Sequence, residues 1–320
     1  MAPSTRIDRD ALARTLDHQL YVITREQAVT VGVTRHALRH RLRSGGPWQG
    51  LLPGVYLATT GTPTPIQQEM AAMLYAGPDS VVTGLAAVRQ HHIRGPVTEL
   101  IDVLVPASRR RRDADFVRLH RTTHLPTRVW QLGPLRYALP ARAVADAVRD
   151  LTSLRDVRAM VADAVQHAHC TVPDLSAELS NGPSVGSKLF REALTDVADG
   201  IHSAAEGDLK DLLAKSGLPM PLFNASLYDG ATFIARPDAW WPEVGVAVEV
   251  DSREWHMSPE DHARTLERQR RMAKHGIIVL PFTPKQIRAR PADVVTQIRD
   301  ALGSVRGRPP LSLRTVPLAA

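Results

Sequence analysis

The run from Val244 to Phe282 constrains the fold of this 320-residue chain most, because its hydrophobic period changes twice within a short span. Val244 to Val250 (VGVAVEV) reads as an apolar strand. Side chains alternate across a strand, so Val246, Val248 and Val250 take one face and Glu249 and Asp251 the other. Ser258 then has the character of a helix N-cap, Pro259 suits the first helical position, and Gly276 suits the end. Ile277 to Phe282 follows as an apolar run of strand length, expected to be buried. Strand, helix and strand in succession, after a hairpin from Asp238, describe a small α/β domain.

The same run spaces acids in a telling way. The hairpin would bring Asp238, Glu249 and Asp251 to one sheet edge. Three oxygen-bearing side chains there suit a hard divalent cation such as Mg²⁺ (or Mn²⁺), and such an ion can activate water and neutralise charge on a phosphodiester. The alternative is a set of strand-end acids that are solvated or paired with Arg236 and Arg253. Glu249, however, lies within an apolar sequence, where a charge is tolerated with a metal or a strong ion pair. Upstream, Ser203 and Glu206 have capping-box spacing. Glu206 also precedes Leu209 and Leu213 on the apolar face of its helix, so the cap and the metal-site readings both stand. His256, after Trp255, is either a proton-handling group near neutral pH or a packing residue. Arg264, Arg268 and Arg271 share one face of the helix before Gly276.

Near the N-terminus, Thr24 and Gln27 again have capping-box spacing, Gly32 centres a turn, and Thr34 caps a second helix from Arg35 to about Arg43. Ala37, Leu38 and Leu42 point inward on that helix and Arg35, Arg39 and Arg43 outward, with His36 and Arg41 widening the basic strip. Strands around Trp48-Gln49 and Val55 to Leu57 flank a Pro53-Gly54 turn. This helix-turn-helix and hairpin could set a basic helix in a DNA major groove, or could present a merely solvated basic face. Farther on, Ile66 to Ile93 reads as helical, and Leu100 to Val105 and Phe116 to Arg121 as a β-pair whose hairpin loop holds the basic run Arg109 to Arg112. That run either grips phosphate or is solvated. His91-His92 reads as turn or packing histidines.

Lys and Arg number 40 against 33 acids, a formal net charge of +7, and arginine carries nearly all of the positive charge. Such a balance favours polyanions without choosing among them. No apolar stretch approaches the roughly 20 residues of a membrane span, and the charged N-terminal segment is unlike a secretory signal. The single cysteine, Cys170, excludes an internal disulfide and a cysteine-cluster zinc site. A cytoplasmic protein with no membrane partner is expected.

Two resemblances join these readings. Residues 15–60, ending in Gly54-Val55-Tyr56, resemble the N-terminal winged helix of abortive-infection type IV antitoxins (AbiEi-like), and the likeness extends more loosely to about 150. Gln49 to Leu52 stand where such wings often carry arginine. Residues 201–302 are similar to the very-short-patch-repair-like branch of the PD-(D/E)xK nuclease superfamily. The matching residues are Glu206, Arg236-Pro237-Asp238, Trp241-Pro242-Glu243, Glu249-Val250-Asp251, Trp255-His256 and the arginine-rich helix leading to Gly276 and Val279-Leu280. That resemblance implies Asp238 as principal metal ligand, Glu249 as a second and Glu206 as the helix acid, with Asp251 where lysine is usual.

The expected fold is therefore α/β (mixed α+β overall). A winged helix-turn-helix over 15–60 precedes a mixed α/β connector over 61–140 and a helical region over 141–200. A restriction-endonuclease-like domain over 201–302 and a flexible tail over 303–320 complete it. The expected function is DNA binding with Mg²⁺-dependent phosphodiester hydrolysis. Asp238, Glu249, Asp251 and His256 would form the catalytic set, and Arg35, Arg39, Arg43, Arg264, Arg268 and Arg271 would contact DNA. The rival is a type IV antitoxin-like regulator with an inactive nuclease fold, partnered by a toxin or a second copy of the chain.

Overall fold

The computed structural model describes residues 7–198, 201, 203–250, 259–305 and 307–317, with the backbone alone for 259–265. The chain is mixed α/β with several separate sheets and divides into two units: Met1–Asp150 with His169–Gly182, and Leu151–Ala168 with Pro183–Ala320.

In the first unit, α1 (Arg9–His18) starts where the Asp8 carboxylate accepts the Ala11 N–H at 2.9 Å. It buries no residue fully, so its sequence carries little apolar signal, and it was not expected. After β1 (Val22–Thr24), α2 (Arg25–Thr30) opens on a reciprocal capping box, Gln27 N–H to Thr24 Oγ1 and Thr24 N–H to Gln27 Oε1. Gly32, at φ 88°, turns the chain into α3 (Arg35–Arg41), capped by Thr34. This helix stops at Leu42, so Arg43 lies beyond its end rather than on it. The strands β2 (Gln49–Leu52) and β3 (Val55–Leu57) form the expected hairpin, and β1 adds to β3 in the order β1-β3-β2. Ile23, Ala28, Val33, Leu38 and Trp48 fill the core beneath.

The expected continuous helical stretch from Ile66 to Ile93 is broken. It comprises α4 (Pro65–Ala76), β4 (Val81–Thr83) and α5 (Gly84–Gln90). Gly77, at φ 92°, and Pro78 stop α4, and the β-branched Val81-Val82-Thr83 becomes a fully buried central strand. With β5 (Ile101–Pro106), β6 (Val117–Thr122), β7 (Val129–Leu132) and β8 (Leu135–Ala138) it builds a sheet in the order β6-β5-β4-β8-β7. The β5–β6 pair is parallel, so the arginine run between them lies in a crossover and not in a hairpin loop. Next come α6 (Pro140–Ala147), α7 (Leu154–Gln166) of the second unit, and α8 (Val172–Asn181), which packs on α6. The 141–200 region is helical, as expected, but its helices divide between the units.

The second unit adds α9 (Lys188–Ala198) and α10 (Ala204–Ser216) to α7, then β9 (Leu222–Phe223), β10 (Ser226–Asp229), β11 (Thr232–Ala235), β12 (Ala239–Trp241) and β13 (Val246–Val250). The helix α11 (Pro259–Lys274) leads to β14 (Ile278–Phe282), α12 (Pro284–Ala289), α13 (Pro291–Ser304) and β15 (Arg314–Val316). The main sheet runs β14-β13-β12-β9, antiparallel at β12–β13 and parallel at β13–β14 across α11. On β13, Val246 and Val248 pack with Leu209, Leu213, Ile287 and Ile298, while Ala247 joins Trp240, Met272 and Ile277 on the opposite face. The strand β14 is only half-buried, with Pro281 exposed, where a buried strand was expected. The segment expected to be a flexible tail instead supplies β15, which pairs with β10, and Thr315 accepts the Trp240 indole N–H at 3.1 Å. Among the described residues no helix is long and apolar enough to cross a membrane.

Candidate metal centre and basic surfaces

Period two along β13 puts Glu249 on the same face as Ala247, the face that α11 covers through Met272. Arg268 stands one helical turn before Met272, so it too faces the sheet. Its Nη2 donates to Glu249 Oε2 at 2.9 Å, and the Glu249 side chain is only 5% exposed. Arg268 was expected on the DNA surface; here its guanidinium neutralises a buried acid. Met272, the apolar residue four positions on, was the signal that this stripe points inward.

Asp238 immediately precedes β12, in which Ala239 pairs with Val248, the neighbour of Glu249. Its carboxylate accepts the Val250 N–H at 2.6 Å, a bond that ties the acid to the adjoining strand. Burial pushes the Asp238 carboxyl up to about 7. The negative charge of Glu206 raises it further, with a smaller contribution from Glu249, against the lowering effects of the Val250 N–H and of Arg268.

Glu206 is buried in the first turn of α10. Its N–H donates to Ser203 Oγ at 3.1 Å, while its carboxylate accepts the Ser203 hydroxyl at 2.9 Å and the Asn224 side-chain amide at 2.6 Å. Glu206 thus begins its helix and also belongs to the acid cluster. Asn224, which the sequence reading missed, joins two of the acids, since its backbone N–H donates to the Asp238 carbonyl at 3.2 Å. It occupies the left-handed region at φ 51°, a conformation asparagine tolerates better than most residues, and its place between two short strands was the available signal.

Oxygen donors of this kind fit a hard cation. In placement, no group of three His, Cys, Asp or Glu residues among the described residues is set to hold one ion. An ion held by Asp238 and Glu249 would therefore draw on water or phosphate oxygens as well. Asp251 and His256 lie outside the described residues, as does the Arg264 side chain.

Of the remaining basic residues, Arg35, Arg39 and Arg43 are exposed, as is Arg271 on α11. Arg41 turns back instead, 5.5 Å over the Trp48 ring, with Nη1 donating to the Ala37 carbonyl at 3.3 Å. His91 packs, its Nε2 within 2.8 Å of the Ala138 carbonyl and its ring 5.0 Å from Trp130, and burial lowers its pKa.

No protein-family model matches the chain. Over 168 residues it is 23% identical to uncharacterized protein Rv2248 of Mycobacterium tuberculosis (strain ATCC 25618 / H37Rv), a match covering 52% of this chain and 62% of the relative. Uncharacterized protein MT2308 of Mycobacterium tuberculosis (strain CDC 1551 / Oshkosh) matches with the same identity and coverage. The chain thus spans 62% of the length of the curated relatives it matches.

Proposed function

We propose that this chain is a cytoplasmic DNA-binding protein whose second unit hydrolyses phosphodiester bonds with Mg²⁺ in a restriction-endonuclease-like domain. The observation that carries the reading is Asp238, a buried carboxyl pushed to about 7 with two further buried acids acting on it. Such a grouping is costly without a cation to relieve it. Asp238 and Glu249 would hold the ion, and Glu206, fixed by Ser203 and Asn224, would add negative field behind them. When bound, the ion supplies an activated water and neutralises charge developing on the phosphate. In the first unit, Arg35 and Arg39 on α3 and Arg43 beyond its end would bind the DNA backbone in a winged-helix manner, with Arg271 of α11 contacting phosphate in the second unit.

A second reading, a type IV antitoxin-like regulator with an inactive nuclease fold, is favoured by one observation: Arg268 already neutralises Glu249 at 2.9 Å. Calorimetric titration with Mg²⁺ separates the two. The hydrolase reading expects binding by the wild type, its loss in Glu249→Gln, and tighter binding in Arg268→Gln, where a competing cation is gone. Absence of Mg²⁺ binding in both the wild type and Arg268→Gln, with DNA binding intact, favours the regulator.

A further inference from the structure

Within the first unit, a cleft of about 1060 Å³ opens between α2, the start of α3, the Pro53-Gly54 turn and the C-terminal end of α4. Five arginines line it, Arg25, Arg35, Arg109, Arg111 and Arg136, against two carboxylates, Glu26 and Asp79. Two of the arginines are held in place. Arg109 Nη2 donates to the Pro78 carbonyl at 2.9 Å. Arg111 Nη1 donates to the Tyr75 carbonyl at 2.7 Å, with the guanidinium 4.6 Å over the Tyr75 ring. Each spends one N–H on a carbonyl, Tyr75 in the last turn of α4 or Pro78 just past it, and keeps the rest of its five-donor fork. The crossover is fastened from its other side as well, because Arg121 donates to the carbonyls of Arg109 and Arg111 at 2.9 and 2.5 Å. Gly77 makes room for the arrangement: a Cβ added there would lie 3.1 Å from Arg109 Nη1.

Among the described residues the guanidinium groups of Arg25, Arg35 and Arg136 make no ion pair or hydrogen bond, and Arg136 is half-buried. Guanidinium donors left unpaired in this way are available to an anionic ligand. The cleft lies at the upper end of the usual span of small-molecule pockets, roughly 300–1,000 Å³, and Arg35 connects it to the exposed arginines of α3.

We propose that this cleft is a second phosphate-binding surface, which holds the sugar–phosphate backbone of DNA flanking the segment contacted by α3. The proposal rests on the DNA-binding reading above and extends it to Arg25, Arg109, Arg111 and Arg136. Pre-positioned guanidinium forks suit phosphate oxygens, and their ordering is already accomplished by the fold.

The test is the salt dependence of binding by the full chain to a fluorescent duplex, for the wild type and for Arg25→Ala/Arg136→Ala, with tripolyphosphate binding measured alongside. The two arginines replaced hold up nothing else among the described residues, so the melting temperature should not move. Loss of two phosphate contacts is expected to flatten the slope of log K against log salt by about 1.8. Should the double variant melt early, the exposed Arg25→Ala alone is expected to flatten it by about 0.9. An unchanged slope in a variant that still binds DNA overturns the cleft and leaves the α3 reading standing. A wild type that binds no duplex overturns both. Binding of tripolyphosphate to the wild type that the variant loses, with the salt slope for DNA the same in both, would assign the cleft to free polyanions and overturn the DNA assignment.

Discussion

At the residue scale, the Asp238 carboxyl makes the stability of the fold depend on pH. It titrates near 7 in the folded chain against 3.8 in the unfolded one. Between those values the folded state holds a proton that the unfolded state has lost, so stability falls as pH rises through this window and levels off above it. The full effect is on the order of 4 kcal/mol. Asp238→Asn should remove the decline and be the more stable protein at about pH 8. Urea denaturation of both proteins across the window checks this, and parallel profiles would contradict it. The acids themselves were legible, because Glu249 interrupts a valine run and Asp238 opens a hairpin. Their partners were not. Asn224 and Arg268 reach Glu206 and Glu249 across 18 and 19 residues of sequence, distances over which no local period operates.

At the scale of elements, α7 and α9 hold α10, the helix that carries Glu206. Arg158 on α7 donates to Asp196 of α9 at 2.6 Å and, with both terminal nitrogens, to Asp211 of α10 at 2.5 and 3.0 Å. Arg158 and Asp196 are both about 4% exposed, and Lys210 Nζ adds a 2.8 Å contact to Asp196. Arg158→Ala leaves a buried carboxylate with one cation fewer, and the expected loss is about 3 kcal/mol. Denaturant unfolding measures it, and a loss below about 1 kcal/mol would mean that water or Lys210 satisfies Asp196. The caps at Thr24 and Thr34 and the β12–β13–α11–β14 succession were legible because each rests on neighbouring residues. The strand β4 was missed because three β-branched residues between two helices make too short a pattern. The parallel pairing of β5 with β6 was missed because the length of a connection does not fix strand direction. The strand β15 was missed because its partner, β10, lies far back in sequence.

For the whole molecule, two short helices and a hairpin with exposed arginines lie in one unit and a buried acid cluster lies in the other. Both halves of the proposed function act on the same polymer, and DNA affinity should therefore fall steeply with salt. The most direct measurement is incubation of purified protein with supercoiled plasmid in Mg²⁺, Mn²⁺ or EDTA, with Asp238→Ala alongside and binding followed in the same samples. The account predicts nicking or cutting that needs the metal and disappears in Asp238→Ala while DNA binding persists. Intact plasmid in every lane, with DNA bound by both proteins, would contradict the hydrolase and leave a regulator in its place.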